Sequence, residues 1–600
     1  MPEITIKSTG RKLQFAAGAS LMDVLLANDI YIDNACGGKG VCGKCRVRVM
    51  EGDPGAVTET ERSILTVSEL REGVRLACLC FPEEDLTVGL MQQEKKHEVL
   101  TSGFLPDFSY DVEIRKVPVV IHKPTLEDQT PFEDQILAET GAERFTYEAL
   151  SAPSLKPGAY TAVLRGKEIL GLEAGDTSVA LYGVAIDIGT TTVVCTLVNL
   201  LTGEELANAS EINAQKHFGL DVLTRITYEL EHPEDGADKL RKAIVGSINR
   251  MIGSVCRECG IPQEQIYEIA VGANCTMMHM LLGVDATSIG KAPFAPVFVR
   301  AKDLKASDIG LKAAPGARLY CLPSVSAYIG ADIVAGAYVC DLKKEPGNVM
   351  FIDIGTNGEI VLASHGKLLS CSCAAGPALE GMNISCGMRA AEGAIEDVEI
   401  TEEGVKLRVI GDAEPTGICG SGILTVTREL LRTGIVRKTG AFVKAGKFGD
   451  NDYRSTMIEV DADGKRSFVL TRSPEKLSIT MGDVRQVQLA KGAILSGFMA
   501  LLNRAGIGMQ ALDKVLIAGQ FGAHLPASSI TGTGILPFEV EDRIRYVGNT
   551  SKTGAYMALM SGTVRCEMEA LASEIDYLEL GATDNYERLL SECLIFPEFR

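Results

Sequence analysis

The N-terminal residues 1–92 alternate apolar and polar side chains over short runs. EITIK and KLQFA flank the turn at Thr9 and Gly10 and predict a β-hairpin. Ser20 precedes the helical pattern of SLMDVLL, and CRVRVM alternates strictly, as a further strand does. This order of strand, strand, helix, loop and strand predicts a β-grasp fold for residues 1–92.

The pattern loosens over residues 93–130 and becomes charged and proline-rich. QQEKKHE leads into a stretch punctuated by Pro106, Pro118, Pro124 and Pro131, with one strand-like run, VPVVI. We expect a linker here, on which the N-terminal unit moves. Residues 131–180 contain a short helical pattern and the hairpin-like RGKEILGLEAGD, so they predict a small intermediate domain.

Residues 181–600 have long apolar strands, glycine-rich turns and amphipathic helices, as in a large α/β domain. An internal repeat lies within them: YGVAIDIGTTTVVCTLVN begins at Tyr182 and NVMFIDIGTNGEIVLAS begins at Asn348. Each copy has a hydrophobic strand, then Asp-Ile-Gly-Thr, then a second strand. The duplication predicts two related lobes with a cleft between them.

Length, charge and hydropathy narrow the class of protein. A chain of 600 residues exceeds what one core supports, so the sequence as a whole predicts a multidomain α/β protein. The net charge of −20 argues against a nucleic-acid binder. No apolar run is long enough to cross a bilayer, and the N-terminus lacks the apolar segment of a signal peptide, so we expect a cytoplasmic protein without membrane partners.

Four of the 17 cysteines have the spacing of an iron–sulfur site. Three are close together in CGGKGVCGKC and one is remote in RLACLC: Cys36, Cys42, Cys45 and Cys78. Zinc sites commonly pair two C-x-x-C knuckles, and these four cysteines contain only one. The spacing matches vertebrate-type and bacterial [2Fe–2S] ferredoxins. Resemblance to their RLxC ending implies that Cys78 is a ligand and that Cys80 is a packed thiol.

The two repeated turns have the composition of phosphate-binding loops. Backbone N–H groups and threonine hydroxyls suit phosphate oxygens, and a carboxylate suits Mg²⁺ bound through water. The candidates are Asp187, Gly189, Thr190, Thr191 and Thr192 in the first loop, and Asp353, Gly355, Thr356 and Asn357 in the second. A third loop in KVLIAGQFGAHL offers an approach to adenosine: Gly519, Gln520, Phe521 and Gly522.

The order of these three loops resembles the actin, hexokinase and Hsp70 superfamily, and implies ATP and Mg²⁺ as ligands. Gln520 and Phe521 depart from the more glycine-rich pattern of many members. Glu359 follows the second loop and is a candidate to position the attacking water, although a solvated strand end explains it equally well.

An N-terminal [2Fe–2S] domain joined to an actin-like ATPase domain resembles the reductive activators of corrinoid proteins. Further stretches carry the resemblance, among them NAQKHFGLDVLTRI, VGANCTMMHMLLG, SVSAYIGADIVAG, LLSCSCAAGPALEGMNISCGMRAAEGAI and TGICGSGI. It implies a homodimer that takes electrons from an external low-potential donor and reduces cobalt(II) to cobalt(I) in the corrinoid protein of a methyltransferase system, assisted by ATP. It also implies that Gln215 and Asp221 approach the nucleotide.

Several residues have a functional and a structural interpretation. Ser372 and Ser385 are candidates for contacts with the corrinoid. Asp221 and Arg225 have the spacing of a helical ion pair, and His279 that of a core histidine. Four further cysteines could form another metal site or a partner-facing surface, but their spacing matches no clear ligand pattern, and packing in the core is favoured. They are Cys371, Cys373, Cys386 and Cys419.

Three alternative functions stay open from the sequence alone. One is an ATP-driven electron donor of the 2-hydroxyacyl-CoA dehydratase-activator type, although those proteins carry a [4Fe–4S] cluster between two subunits. Another is a sugar or acid kinase with an added redox domain, which would need a substrate-binding aspartate that is not identifiable here. The third is a nucleotide-gated redox sensor that binds a partner without turnover.

Overall fold

The computed structural model describes residues 2–15, 18–28, 30, 32, 38, 40, 43–91, 104–151, 155–449, 452–461, 464–519 and 525–599. The N-terminal domain is a five-stranded sheet of order β2-β1-β5-β3-β4, in which β1 runs parallel to β5. Its buried face packs on α1, which Ser20 caps by accepting a hydrogen bond from the backbone of Asp23. This arrangement confirms the predicted β-grasp. The elements are β1 (Glu3–Ile6), β2 (Lys12–Gln14), α1 (Leu21–Ala27), β3 (Arg46–Glu51), α2 (Glu59–Ile64), α3 (Val67–Arg71), β4 (Val74–Leu76) and β5 (Leu86–Leu90).

The intermediate domain is a four-stranded sheet of order β6-β8-β9-β7. Its first strand contains the VPVVI run of the predicted linker and pairs with β8 from Ile114 to Ile121. The sheet therefore begins N-terminal to the boundary predicted at residue 131, because this strand is one of its edges. The elements are β6 (Ile114–Ile121), α4 (Phe132–Thr140), β7 (Arg144–Phe145), α5 (Tyr147–Leu150), β8 (Gly158–Arg165) and β9 (Glu168–Ala174).

Residues 104–113, also predicted as linker, lie against the ATPase domain. The Phe104 N–H donates to the Val547 carbonyl at 3.1 Å, and the Asp111 N–H donates to the Met560 carbonyl at 3.1 Å. The Asp111 carboxylate also accepts hydrogen bonds from Ser561 and Thr563. This part of the segment is anchored rather than a free tether.

The first lobe is a six-stranded sheet of order β12-β11-β10-β13-β15-β14. The inner strands β10, β11 and β13 are almost entirely buried because helices pack against the sheet, whereas the edge strands β12 and β14 are mostly half-buried or exposed. The elements are β10 (Tyr182–Ile188), β11 (Thr192–Asn199), β12 (Glu205–Ile212), α6 (Val222–Glu231), α7 (Gly236–Cys259), β13 (Ile266–Ala273), α8 (Cys275–Leu282), β14 (Lys302–Lys305), β15 (Arg318–Cys321) and α9 (Ala331–Val339).

The second lobe has a sheet of order β26-β25-β16-β17-β18-β27, with two three-stranded sheets inserted along the chain (β19–β21 and β22–β24). Its elements are β16 (Asn348–Ile354), β17 (Gly358–Ser364), β18 (Lys367–Cys373), β19 (Ala394–Ile400), β20 (Val405–Val409), β21 (Gly417–Ile418), α10 (Gly420–Arg432), α11 (Tyr453–Met457), β22 (Ile458–Val460), β23 (Arg466–Thr471), β24 (Leu477–Thr480), α12 (Met481–Ala505), β25 (Lys514–Ala518), α13 (Ala527–Gly532), β26 (Ile544–Gly548), α14 (Thr550–Met560), α15 (Gly562–Glu574), β27 (Ile575–Tyr577) and α16 (Tyr586–Cys593).

The two large sheets share one topology. In each sheet the central strand leads into the Asp-Ile-Gly-Thr turn. In the first lobe this strand is β10, which pairs antiparallel with β11 and parallel with β13. In the second lobe it is β16, which pairs antiparallel with β17 and parallel with β25. Helix α14 returns to the first lobe and packs into its core. The predicted two-lobed ATPase fold is therefore confirmed. Across the described residues, every helix is too short or too polar to traverse a lipid bilayer.

Candidate functional site

The first predicted phosphate loop is held by a buried arginine. The Gly189 N–H donates to the Thr192 carbonyl at 2.9 Å and closes the turn between β10 and β11. The Arg225 guanidinium, fully buried, donates to the carbonyls of Thr190 at 2.5 Å and Gly219 at 2.9 Å. A loop fixed through its carbonyls leaves its hydroxyls available for other partners.

Asp187, at the end of β10, is anchored on the N-terminus of α14. Its carboxylate accepts hydrogen bonds from the Ser551 hydroxyl at 2.6 Å and from the Asn549 amide at 2.8 Å. Burial raises the pKa of this carboxyl, and the two hydrogen bonds oppose the rise. The contact fixes the loop relative to a helix more than 350 residues away in the chain.

The second and third loops meet at Asp353. The Gly355 N–H donates to the Asn357 carbonyl at 3.0 Å, which closes the second turn. Gly519 has φ of 91°, and a Cβ at this position would lie 2.5 Å from Asp353 Oδ1. Only glycine fits, because any side chain would strain the backbone and displace the carboxylate. Gln520, Phe521 and Gly522 lie outside the described residues.

Four carboxylates gather between the lobes. Burial and the Asp187 charge raise the pKa of Asp353 to about 7. Burial, followed by the charges of Asp353 and Asp187, raises the pKa of Asp332 to about 8. Burial and the charges of Asp332 and Asp353 raise the pKa of Glu359 well above its usual value.

Such a cluster suits a divalent cation, since a cation would relieve the repulsion that raises these pKa values. Among the described residues, no three His, Cys, Asp or Glu side chains are placed to hold a metal ion by themselves. Mg²⁺ commonly keeps several waters and shares its coordination with substrate phosphates, so this arrangement fits Mg²⁺ delivered with a nucleotide.

Two of the four predicted cluster cysteines are described, and their sulfurs meet. Cys45 Sγ and Cys78 Sγ lie 3.3 Å apart in the domain core, with exposures of 1% and 5%. The Ala77 N–H donates to the Cys45 carbonyl at 2.8 Å, which fixes the turn carrying Cys78 beside the start of β3. The hydrogen bond between the Cys45 and Cys78 thiols lowers the pKa of Cys45 to about 7. Two converging thiols, one of them with a lowered pKa, fit an iron–sulfur cluster. Cys36 and Cys42 lie outside the described residues.

Comparison with known proteins identifies both parts of the molecule. Residues 4–83 match the 2Fe-2S iron-sulfur cluster binding domain, residues 182–345 the RACo middle region, and residues 347–600 the C-terminal domain of RACo, the ASKHA domain. The corrinoid activation enzyme RamQ of Eubacterium limosum is 31% identical over 94% of this chain and 93% of its own length. The chain belongs to the reductive activators of corrinoid proteins.

Further relatives agree with this assignment. The structure of a reductive activator for corrinoid, iron-sulfur protein superposes with a TM-score of 0.72 at 31% identity, covering 100% of this chain and 99% of the other. The [Co(II) methylated amine-specific corrinoid protein] reductase of Methanosarcina barkeri is 26% identical over 68% of this chain and 75% of its own length. This activator therefore combines a [2Fe–2S] domain with an ASKHA ATPase domain that binds ATP and Mg²⁺.

The predicted pair of Asp221 and Arg225 does not form in the activator. Asp221 caps α6 by accepting from the Thr224 N–H at 2.7 Å, while Arg225 donates to the Thr190 carbonyl in the first predicted phosphate loop. The buried Gln215 accepts from Arg225 at 3.4 Å and so lies behind this loop. His279 is buried in α8 and stacks on Phe298, as expected of a core histidine.

The two candidate corrinoid-facing serines have different surroundings. Ser372 lies on β18, opposite Glu359 in the strand register, and is therefore next to the carboxylate cluster. Ser385 is in the turn that follows the 3₁₀ helix Pro377–Glu380, and its N–H and hydroxyl both donate to Asp483 at the start of α12, at 2.7 and 3.1 Å. The nearby thiols of Cys371, Cys373 and Cys419 are buried, and that of Cys386 is half-buried.

The sequence analysis did not identify several residues that lie far along the chain from the predicted loops and come close to them in the fold. Asp332 is the second residue of α9, two positions after Gly330 in YIGADIV, and an aspartate in the first turn of an apolar helix was the available signal. Asn549 and Ser551 carry no comparable signal, since they follow a strand of ordinary composition. Glu380 lies in a glycine-rich stretch whose pattern predicts no regular element.

Replacement of Asp332 by Asn is expected to stabilise the nucleotide-free activator at alkaline pH. The folded pKa of about 8 exceeds the unfolded value, so the folded state binds more protons between about pH 4 and 8 and loses stability as pH rises through this window. The variant removes this loss and can still accept the Ile333 N–H. We expect a gain of about 1–2 kcal/mol near pH 8, after allowing for partial exposure.

The measurement is thermal unfolding without Mg²⁺ at about pH 6 and about pH 8. The exposed Asp308, in the same lobe, provides the control variant Asp308→Asn. An equal loss of stability in Asp332→Asn and the wild type across this range would contradict the assignment.

Proposed function

We propose that this chain is an ATP-dependent reductive activase that passes low-potential electrons from its [2Fe–2S] cluster to the cobalt(II) corrinoid of a corrinoid protein, restoring cobalt(I) for methyl transfer. The observation that carries the proposal is the full-length match to RamQ, which includes the cluster domain and the ATPase domain in one chain. Neither domain alone implies this reaction, because ferredoxin domains and ASKHA domains both occur in other activities.

The proposed cluster ligands are Cys36, Cys42, Cys45 and Cys78. The 3.3 Å approach of the Cys45 and Cys78 sulfurs supports the choice of these two. When bound, the cluster supplies a one-electron donor in the N-terminal domain. The buried ion pair of Arg75 and Glu61, at 2.8 Å, lies close enough to Cys80 to influence the pKa of its thiol.

The proposed nucleotide site uses the three loops around the carboxylate cluster. Backbone and hydroxyl groups of the Gly189–Thr192 and Gly355–Asn357 turns donate to phosphate oxygens, and the Gly519–Gly522 loop faces adenosine. Asp187 and Asp353 hold Mg²⁺ through water. Glu359 orients water at the second loop. Burial, followed by the charges of Asp332 and Asp353, raises its pKa and favours its holding or accepting a proton there.

ATP is needed because electron transfer to an acceptor of lower reduction potential is unfavourable. For one electron, each tenfold change in the equilibrium constant corresponds to about 59 mV. A nucleotide that binds one arrangement of the lobes more tightly than the other can supply this free energy.

We place Ser372 and Ser385 on the corrinoid-facing side. The proposal includes an external low-potential electron donor, a homodimer and a cytoplasmic location.

The test is an anaerobic single-turnover reaction with prereduced protein and a cobalt(II) corrinoid protein, followed by cobalt(I) absorbance. Mg²⁺·ATP is expected to produce cobalt(I), and omission of ATP is expected to reduce the yield strongly. Absence of cobalt(I) with ATP, together with reduction of a 2-hydroxyacyl-CoA dehydratase or phosphorylation of a sugar, would replace the proposal by one of the alternatives.

A further inference from the structure

Glu380 connects the two phosphate loops across the cleft. Its carboxylate accepts a hydrogen bond from the Thr191 hydroxyl at 3.0 Å and from the Thr356 hydroxyl at 2.7 Å. Thr191 belongs to the first lobe, whereas Thr356 and Glu380 belong to the second. Among the described residues, no Lys, Arg or His forms an ion pair with this carboxylate.

These hydrogen bonds compete with phosphate. A threonine hydroxyl has one proton, so while Thr191 and Thr356 donate to Glu380 they cannot donate to a phosphate oxygen. A carboxylate and a triphosphate are both anions and repel each other at short range. Phosphate binding through both loops therefore requires Glu380 to leave.

The local fold gives Glu380 a way to leave. It ends the short 3₁₀ helix Pro377–Glu380, which lies between Gly376 and Gly381 with φ of 77° and 86°. Such angles favour glycine and mark positions where the chain changes direction. The following turn is folded onto this helix, with the Met382 N–H donating to the Pro377 carbonyl at 3.2 Å, and it carries Ser385.

We propose that Glu380 is a latch: it holds the two lobes together in the absence of nucleotide, the triphosphate of ATP displaces it, and its release moves the segment 377–388 that carries Ser385. This inference rests on the proposed function, since it assigns a regulatory role to the proposed nucleotide site. It gives a physical route from phosphate binding to a surface at the far end of the same turn.

Glu380→Gln in the full-length protein tests the latch. The amide keeps the size of the side chain but loses the charge and one of the two acceptors. We expect Mg²⁺·ATP to bind about fivefold more tightly or better by calorimetry, because no latch has to be broken. Glu380→Asp, whose shorter carboxylate cannot reach both hydroxyls, is expected to change affinity in the same direction. The exposed Glu403 supplies the control variant Glu403→Gln.

Hydrogen exchange provides the second measurement. In the wild type, adding Mg²⁺·ATP is expected to increase exchange in segment 377–388. In Glu380→Gln, exchange there is expected to be high already and insensitive to Mg²⁺·ATP.

Unchanged affinity with slower ATP hydrolysis would make Glu380 a catalytic group, and weaker binding would make it part of the Mg²⁺·ATP site; either result overturns the latch. Both measurements use Mg²⁺·ATP alone, without corrinoid protein. If the latch proposal fails, the cobalt-reduction test of the proposed function is unaffected. If cobalt reduction fails, the latch can still be tested by nucleotide binding.

Discussion

Cys78→Ser is expected to abolish or markedly change the visible spectrum of the [2Fe–2S] cluster, whereas Cys80→Ser is expected to leave it intact. Cys78 Sγ lies 3.3 Å from Cys45 Sγ, as two ligands of one cluster must be close together. Cys80 is fully buried, and burial raises the pKa of its thiol to about 12, so it resists the ionisation that ligation requires.

The comparison is made on anaerobically purified full-length variants by absorbance and by iron content. Cys80→Ser is itself the matched control, because it removes a buried thiol two residues away. Loss of the spectrum in Cys80→Ser with retention in Cys78→Ser would reverse the ligand assignment.

Asp353→Asn is expected to weaken the binding of Mg²⁺·ATP by at least about tenfold while leaving the iron content unchanged. The carboxylate lies at the junction of the second phosphate loop and Gly519, so its charge is available where Mg²⁺ would accompany the phosphates. Asp187→Asn is expected to weaken binding as well. It also disturbs the hydrogen bonds from Asn549 and Ser551, which makes Asp353→Asn the cleaner variant.

Calorimetry with Mg²⁺·ATP measures this effect, and Asp308→Asn serves as the surface control. Unchanged affinity in both Asp187→Asn and Asp353→Asn would place the nucleotide elsewhere and remove the basis for the cleft assignment.

The sequence predicts the fold of the N-terminal domain and of the two lobes well. The repeat of Asp-Ile-Gly-Thr between hydrophobic strands predicts two lobes of equal topology, and β10 and β16 do occupy equivalent central positions. Alternation in EITIK and CRVRVM predicts the β-grasp sheet. These features are local, since a strand and the turn that follows it are encoded by consecutive residues.

The contacts that complete the site are not local. Arg225 reaches the carbonyl of Thr190, 35 residues away, instead of the aspartate four residues before it. Glu380 reaches Thr191, 189 residues away, and Asn549 reaches Asp187 over 362. Helical spacing predicts that Arg225 pairs with the charged residue one turn away. A buried side chain instead forms hydrogen bonds with the groups that tertiary packing brings close to it. Proline content likewise predicts a linker over residues 93–130, although hydrogen bonds to the ATPase domain anchor residues 104–113 and strand pairing fixes residues 114–121.

The most direct test of the central claim, that electrons reach cobalt through the N-terminal cluster under ATP control, is cobalt reduction by the full-length double variant Cys45→Ser and Cys78→Ser. Mg²⁺·ATP binding and capture of the corrinoid protein are expected to survive, because the nucleotide cleft lies in the ATPase domain, whereas single-turnover formation of cobalt(I) is expected to vanish. Cobalt(I) formed at the wild-type rate without the cluster would contradict the account.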